Sequence, residues 1–164
     1  MARDAISRLY DVQASSVVYK KPQARGKYDH GTVTFKARKG KRINLDKLHE
    51  SVWATRLSGG TSSGLVRLDV TAVGKLARAG RQLVLEIPDS KKTFVLSASN
   101  LRAGSKEQVA FQKARETQGS GETVSVTGQV QGWHGRWPRM LSSLPPSPRT
   151  ILVTGFEKVE KASP

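Results

Sequence analysis

The chain has 164 residues, 28 of them Lys or Arg against 13 Asp or Glu, for a net charge of +15. The absence of Cys excludes disulfides, thiolate metal sites and thiol catalysis together. No apolar run approaches the ~18 residues that a membrane-spanning helix needs.

The hydrophobic fraction of 37% lies under the globular norm, yet Val, Leu and Ile recur in ordered runs. That pattern predicts folded structure rather than a disordered polycation. The first residues, MARDAISRLYDV, hold no apolar h-region, which predicts no secretory signal and a cytoplasmic location. Within 4–12, Ile6 and Leu9 stand at i, i+3, a short helical stripe. Residues 16–20 (SVVYK) and 32–36 (TVTFK) are β-branched and aromatic and predict a hairpin with a long loop. After Gly40, Asn44 suits an N-cap and Asp46 the positive end of a helix dipole, with Ile43 placed to staple onto Leu48. This helix is expected to pass Val52 and Trp53 and end near Arg56. The stretch 58–64, SGGTSSG, reads as a turn or linker.

From Leu65 the pattern changes. Residues 65–77 alternate apolar and polar, and Gly74 inside them predicts a bulge or a sharp coil of a long strand. Residues 82–87 and 93–97 predict two more strands joined by the turn chemistry of Pro88, Asp89 and Ser90. Ser105 and Gln108 form a capping-box pattern that opens a helix to about Thr117. Residues 122–131 and 150–157 predict the last two strands, separated by a loop of nearly twenty residues. The expected domains are 1–64 and 65–160, and the fold class is α+β.

The order strand–strand–strand–helix–strand–strand over 65–157 resembles an OB fold, a five-stranded barrel with one helix. The first half, with Ile6, Leu9 and Val12 leading into the strand at 16–20, resembles the ferredoxin-like heavy-metal-associated domains. The first strand of such a module is missing, and a later strand near Leu65 is expected to adjoin it. That family holds soft metals through a Cys-x-x-Cys. The second ligand would fall near Ala2 and the first before Met1, so the resemblance implies either a degenerate relative or a chain that starts late, and in both cases a polypeptide without the family's metal site. No metal and no other cofactor is expected.

Catalytic motifs find no support in context. Gly60 to Gly64 (GTSSG) spells a nucleophile elbow, but a helix precedes it and a strand follows, the reverse of what that motif needs. Gly59 to Gly64 has phosphate-loop spacing but is followed by Leu65 and Val66 instead of Lys and Ser or Thr. His30, His49 and His134 lie in three different predicted elements, short of a convergent ligand set. No close carboxylate pair suits acid–base work, and the chain is read as a non-enzymatic protein.

Charge is concentrated instead. Residues 20–42 carry nine bases, Lys20, Lys21, Arg25, Lys27, Lys36, Arg38, Lys39, Lys41 and Arg42, against the single acid Asp29. Such density is either fully solvated, with long stems covering apolar surface, or neutralised by a polyanion whose counterions are released. If the two strands pair antiparallel, the loop charges gather at one end and residues 38–42 at the other. In the long loop, Trp133, Arg136, Trp137 and Arg139 form an aromatic–basic group suited to stacking on bases and meeting phosphates. The alternative for at least one Trp is to anchor the loop against the barrel. The expected partner is nucleic acid or another polyanion. The alternative is an accessory subunit docking an acidic protein in a larger assembly.

Overall fold

The computed structural model describes residues 2–21, 31–55, 67–88, 92–98, 104–131 and 149–159. It is mixed α+β, with a two-stranded sheet, a five-stranded sheet and three α-helices among the described residues. The described residues up to Thr55 form one compact unit and those from Arg67 another.

In the first unit, helix α1 (Ala2–Ser7) carries Ile6 inward and leads to a 3-10 turn at Ala14–Ser16. Strand β1 (Val18–Lys20) then pairs antiparallel with β2 (Thr32–Thr34), with Val18 opposite Thr34 and Lys20 opposite Thr32. The hairpin is shorter than its β-branched residues predict. Ser16 is drawn into the 3-10 turn, where its hydroxyl donates to Gln13 O at 2.6 Å and accepts the Lys36 amide at 2.8 Å. Lys36 therefore leaves the strand ladder for a side-chain partner. Helix α2 (Leu45–Trp53) begins where local chemistry predicts. Asn44 Oδ1 accepts the amides of Asp46 and Lys47 at 3.0 and 3.3 Å, filling two of the orphan donors of the first turn. The helix stops at Trp53, three residues short of the expected end.

α1 packs on α2, and the Ser51 hydroxyl donates to Ala5 O at 3.2 Å. Ile6, Val12, Val17, Leu48 and Val52 form the core, and His49 is buried beside them on α2. β1 and β2 are the whole sheet of this unit among the described residues; the strand expected from Leu65 is found at Asp69–Ala79 and pairs within the five-stranded sheet instead of adjoining this one.

The second unit holds β3 (Asp69–Ala79), β4 (Gln82–Glu86), β5 (Thr93–Ser97), α3 (Lys106–Thr117), β6 (Thr123–Val130) and β7 (Arg149–Lys158). Each strand pairs with two others in the order β3-β4-β5-β7-β6, so the sheet closes on itself as a barrel. All ladders are antiparallel except β5 with β7, where Leu96 lies level with Ile151. Alternation sets the inner face: Val124, Val126 and Val130 of β6 are buried at every second position, and Leu76, Leu85, Leu96, Ile151 and Val153 join them.

Gly74 resolves the two readings of the long strand in favour of coiling. β3 pairs with β6 through residues 69–75 and with β4 through 75–79, without a register shift. At Lys75, next to Gly74, the strand changes partner, and a Cβ on Gly74 would run into the Glu86 carbonyl oxygen. The register irregularity lies instead between Thr127 and Gly128 in the β6–β7 ladder. Helix α3 packs on β7 through Ala110 and Ala114, small enough for close approach. Its N-terminus is capped by the Ser105 hydroxyl, which accepts the Gln108 amide at 3.3 Å. The Gln108 side chain accepts from Gly104 N at 2.6 Å, one residue earlier than the reciprocal bond of a capping box.

Candidate polyanion interface

The first unit places seven of the predicted basic residues. Lys20 ends β1 and Lys21 follows it, both exposed, at the end of the hairpin where the loop leaves. Lys36 is exposed just past β2. Arg38, Lys39, Lys41 and Arg42 occupy the connection from β2 to α2, and all four are exposed. The antiparallel register separates Lys20 and Lys21 from the 38–42 group by six residues along the second strand's direction, on the order of 20 Å. Arg25, Lys27, Trp133, Arg136, Trp137 and Arg139 lie outside the described residues.

A backbone ladder fixes the 38–42 group to the segment before the hairpin. Gln13 N–H donates to Lys36 O at 2.9 Å, Val12 bridges Ala37, and Arg38 N–H donates to Asp11 O at 2.8 Å. Residues 38–41 then close a turn, with Lys41 N–H donating to Arg38 O at 2.8 Å. Gly40 at its third position has φ 71°, the left-handed value that a type II turn needs and that glycine supplies without strain.

This geometry brings in a residue that the charge pattern did not single out. Tyr10 is 64% exposed, and its ring holds the Arg38 guanidinium carbon at 4.9 Å and Lys41 Nζ at 5.2 Å from its centroid. Each such contact at an exposed ring contributes about 0.5–1 kcal/mol. Among the described residues no carboxylate forms an ion pair with Lys20, Lys36, Arg38, Lys39 or Lys41. The two ion pairs Arg67–Asp69, at 2.9 Å, and Lys158–Glu122, at 2.8 Å, belong to the second unit. Lys20, Lys36, Arg38, Lys39 and Lys41 are therefore exposed without a carboxylate partner among the described residues.

The second unit contributes a cleft of about 850 Å³ between the β3–β4 hairpin, β5 and α3. Arg78, Arg81 and Arg115 line it with Phe111 on one wall, and Glu116 is the single acid among its described lining residues. Arg78 Nε donates to Gly80 O at 2.9 Å, which ties that side chain to its own hairpin turn. Sequence reasoning passed over these arginines because they are spaced singly among apolar strand and helix positions. Only the closure of the barrel gathers them.

Among the described residues no group of three or more His, Asp or Glu converges as a metal site, and no helix is long and apolar enough to cross a membrane. Comparison with family models, with curated proteins and with solved structures finds no match to this chain.

Proposed function

We propose that this chain is a non-enzymatic basic module that binds single-stranded nucleic acid, mainly through its phosphates. The observation that carries this reading is the group of exposed bases Lys20, Lys21, Lys36, Arg38, Lys39 and Lys41, with which no carboxylate forms an ion pair among the described residues. Cations at this density repel one another, and a polymer of phosphates relieves that repulsion while releasing condensed counterions. The second unit fits an OB-type barrel. Its strand order and the helix between its third and fourth strands support that assignment, as does a guanidinium-lined cleft beside the first hairpin. The α–β–β–α order of the first unit fits a ferredoxin-like module without its first strand.

Binding of a labelled oligothymidylate, followed by fluorescence anisotropy against salt, tests the proposal. Affinity is expected to fall with a log–log slope of about −0.7 per phosphate contact. Charge reversal at Lys39, Lys41 and Arg42 is expected to flatten that slope. Trp137→Ala is expected to weaken binding at unchanged slope, because stacking releases no counterions. Absence of salt-sensitive affinity near 50 mM salt would overturn the reading.

One observation favours a second reading, an accessory subunit completed by a protein partner. β1 and β2 form a bare two-stranded sheet among the described residues, with Val18 and Tyr19 53% and 44% exposed. A partner strand added to that sheet would cover both. Co-purification with a stoichiometric protein and without nucleic acid, read from the ratio of absorbance at 260 and 280 nm, would favour it.

A further inference from the structure

Two cations of the basic cluster are not placed independently. Arg38 and Lys41 are the first and fourth residues of one turn, closed by the Lys41 amide on Arg38 O at 2.8 Å. The turn is fastened to Asp11 by the Arg38 amide, also at 2.8 Å, which sets Tyr10 beside it. Both side chains then lie over the same ring, at 4.9 and 5.2 Å from its centroid.

Like charges brought within about one Debye length, roughly 10 Å at 0.1 M salt, repel each other. The negative π-density of the tyrosine ring attracts both nonetheless. Neither has a carboxylate partner among the described residues, and the ring beneath them is largely open to water. A planar guanidinium and a point-charge ammonium that share one ring, each about 5 Å from its centroid, offer one phosphate a fork and a single donor.

We infer that Tyr10, Arg38 and Lys41 form a phosphate clamp, in which Arg38 and Lys41 together take one phosphodiester of a nucleic acid strand. Tyr10 is the positioning residue that holds both cations. The inference rests on the polyanion-binding reading above and adds that these cations act as a unit on one group.

The test uses the full chain and a labelled oligothymidylate, titrated between roughly 50 and 200 mM salt. Arg38→Ala and Lys41→Ala each flatten the log–log slope by about 0.7. The double variant flattens it by about 0.7 as well, whereas independent contacts would give about 1.4. Tyr10→Leu, which keeps both charges, weakens binding about three- to tenfold, and Tyr10→Phe stays within about twofold of the original.

A strand without bases, of the same length, shows the same Tyr10 dependence. A Tyr10 effect that vanishes on the abasic strand means that the ring stacks on a base, and the clamp is wrong. A Tyr10 effect equally large on vesicles of phosphatidylserine and phosphatidylcholine overturns the assignment to nucleic acid. In the free protein, the Arg38 side-chain protons resonate upfield in the ring current of Tyr10 and lose that shift in Tyr10→Leu. The amide spectrum shows whether the variant stays folded. If the unmodified protein binds with salt sensitivity but the Tyr10 series is flat, only the clamp falls. If the unmodified protein does not bind, both readings fall.

Discussion

At the scale of single residues, close approach decides more than chemistry does. Gly74 sits one residue before β3 exchanges one partner strand for another, where the end of β4 crosses it. Gly74→Ala is expected to destabilise the barrel by about 1–3 kcal/mol, because a backbone carbonyl cannot swing aside as a side chain can. A urea titration followed by circular dichroism measures it, and an unchanged midpoint would contradict the crossing. The glycine's effect on strand geometry was legible in the sequence; the strand it meets was not. Asn44 and Ser105 were legible as caps because a cap and the amides it accepts lie within three residues. Tyr10 was not, because its neighbours Arg38 and Lys41 lie some thirty residues away and arrive through backbone bonds between 11–13 and 36–38. Nothing in the local pattern around Tyr10 announces that ladder.

At the scale of elements, each strand of the barrel was legible in the sequence, the longest through its alternation, and tertiary pairing moved the ends. Residues 93–97 match the predicted strand, β6 and β7 differ by one residue at each end, and β3 begins at Asp69 instead of Leu65. Those ends are fixed by partners, as in the ladder that sets Val124 opposite Lys158. There Lys158 Nζ meets Glu122 at 2.8 Å, fastening the start of β6 to the end of β7. The Lys158 hydrogen bond, with its positive charge, holds the Glu122 carboxyl below its ordinary value of 4.5. A carboxyl whose pKa is lowered on folding binds fewer protons folded than unfolded. Its contribution to stability is therefore present above the ordinary value and lost as pH falls through the folded one. Glu122→Gln is expected to make the thermal midpoint less sensitive to pH below about 4.5, with little change at neutral pH because the pair is exposed. Parallel pH profiles for the two proteins would show that the pair contributes nothing.

At the scale of the whole molecule, the surplus of charge and the barrel are assigned to different stretches of chain. Residues 20–42 carry eight of the fifteen net positive charges, and none of them is a barrel residue. The uneven distribution was plain from the sequence, as was the α+β class. The gathering of Arg78, Arg81 and Arg115 around one cleft was not, since it depends on how a sheet closes.

That closure governs how the protein comes to be folded. β7 joins β5 in a parallel pair and β6 in an antiparallel one, so residues 149–158 are the keystone of the ring. During synthesis the four earlier strands wait as an open sheet, β5-β4-β3-β6, with bare hydrogen-bonding edges on both sides. Pairing partners more than fifty residues apart makes the last step a search over long loops, which places refolding in the range of milliseconds to seconds rather than microseconds. A chain stopped after residue 148 is expected to aggregate, and a synthetic peptide of residues 149–158 added during refolding to rescue it, with light scattering as the measure. A truncated chain that stays monomeric without the peptide would show that its edges are protected by other means. For the cell, the hazardous interval is the one before the final strand leaves the ribosome, when the barrel is still a template for its neighbours.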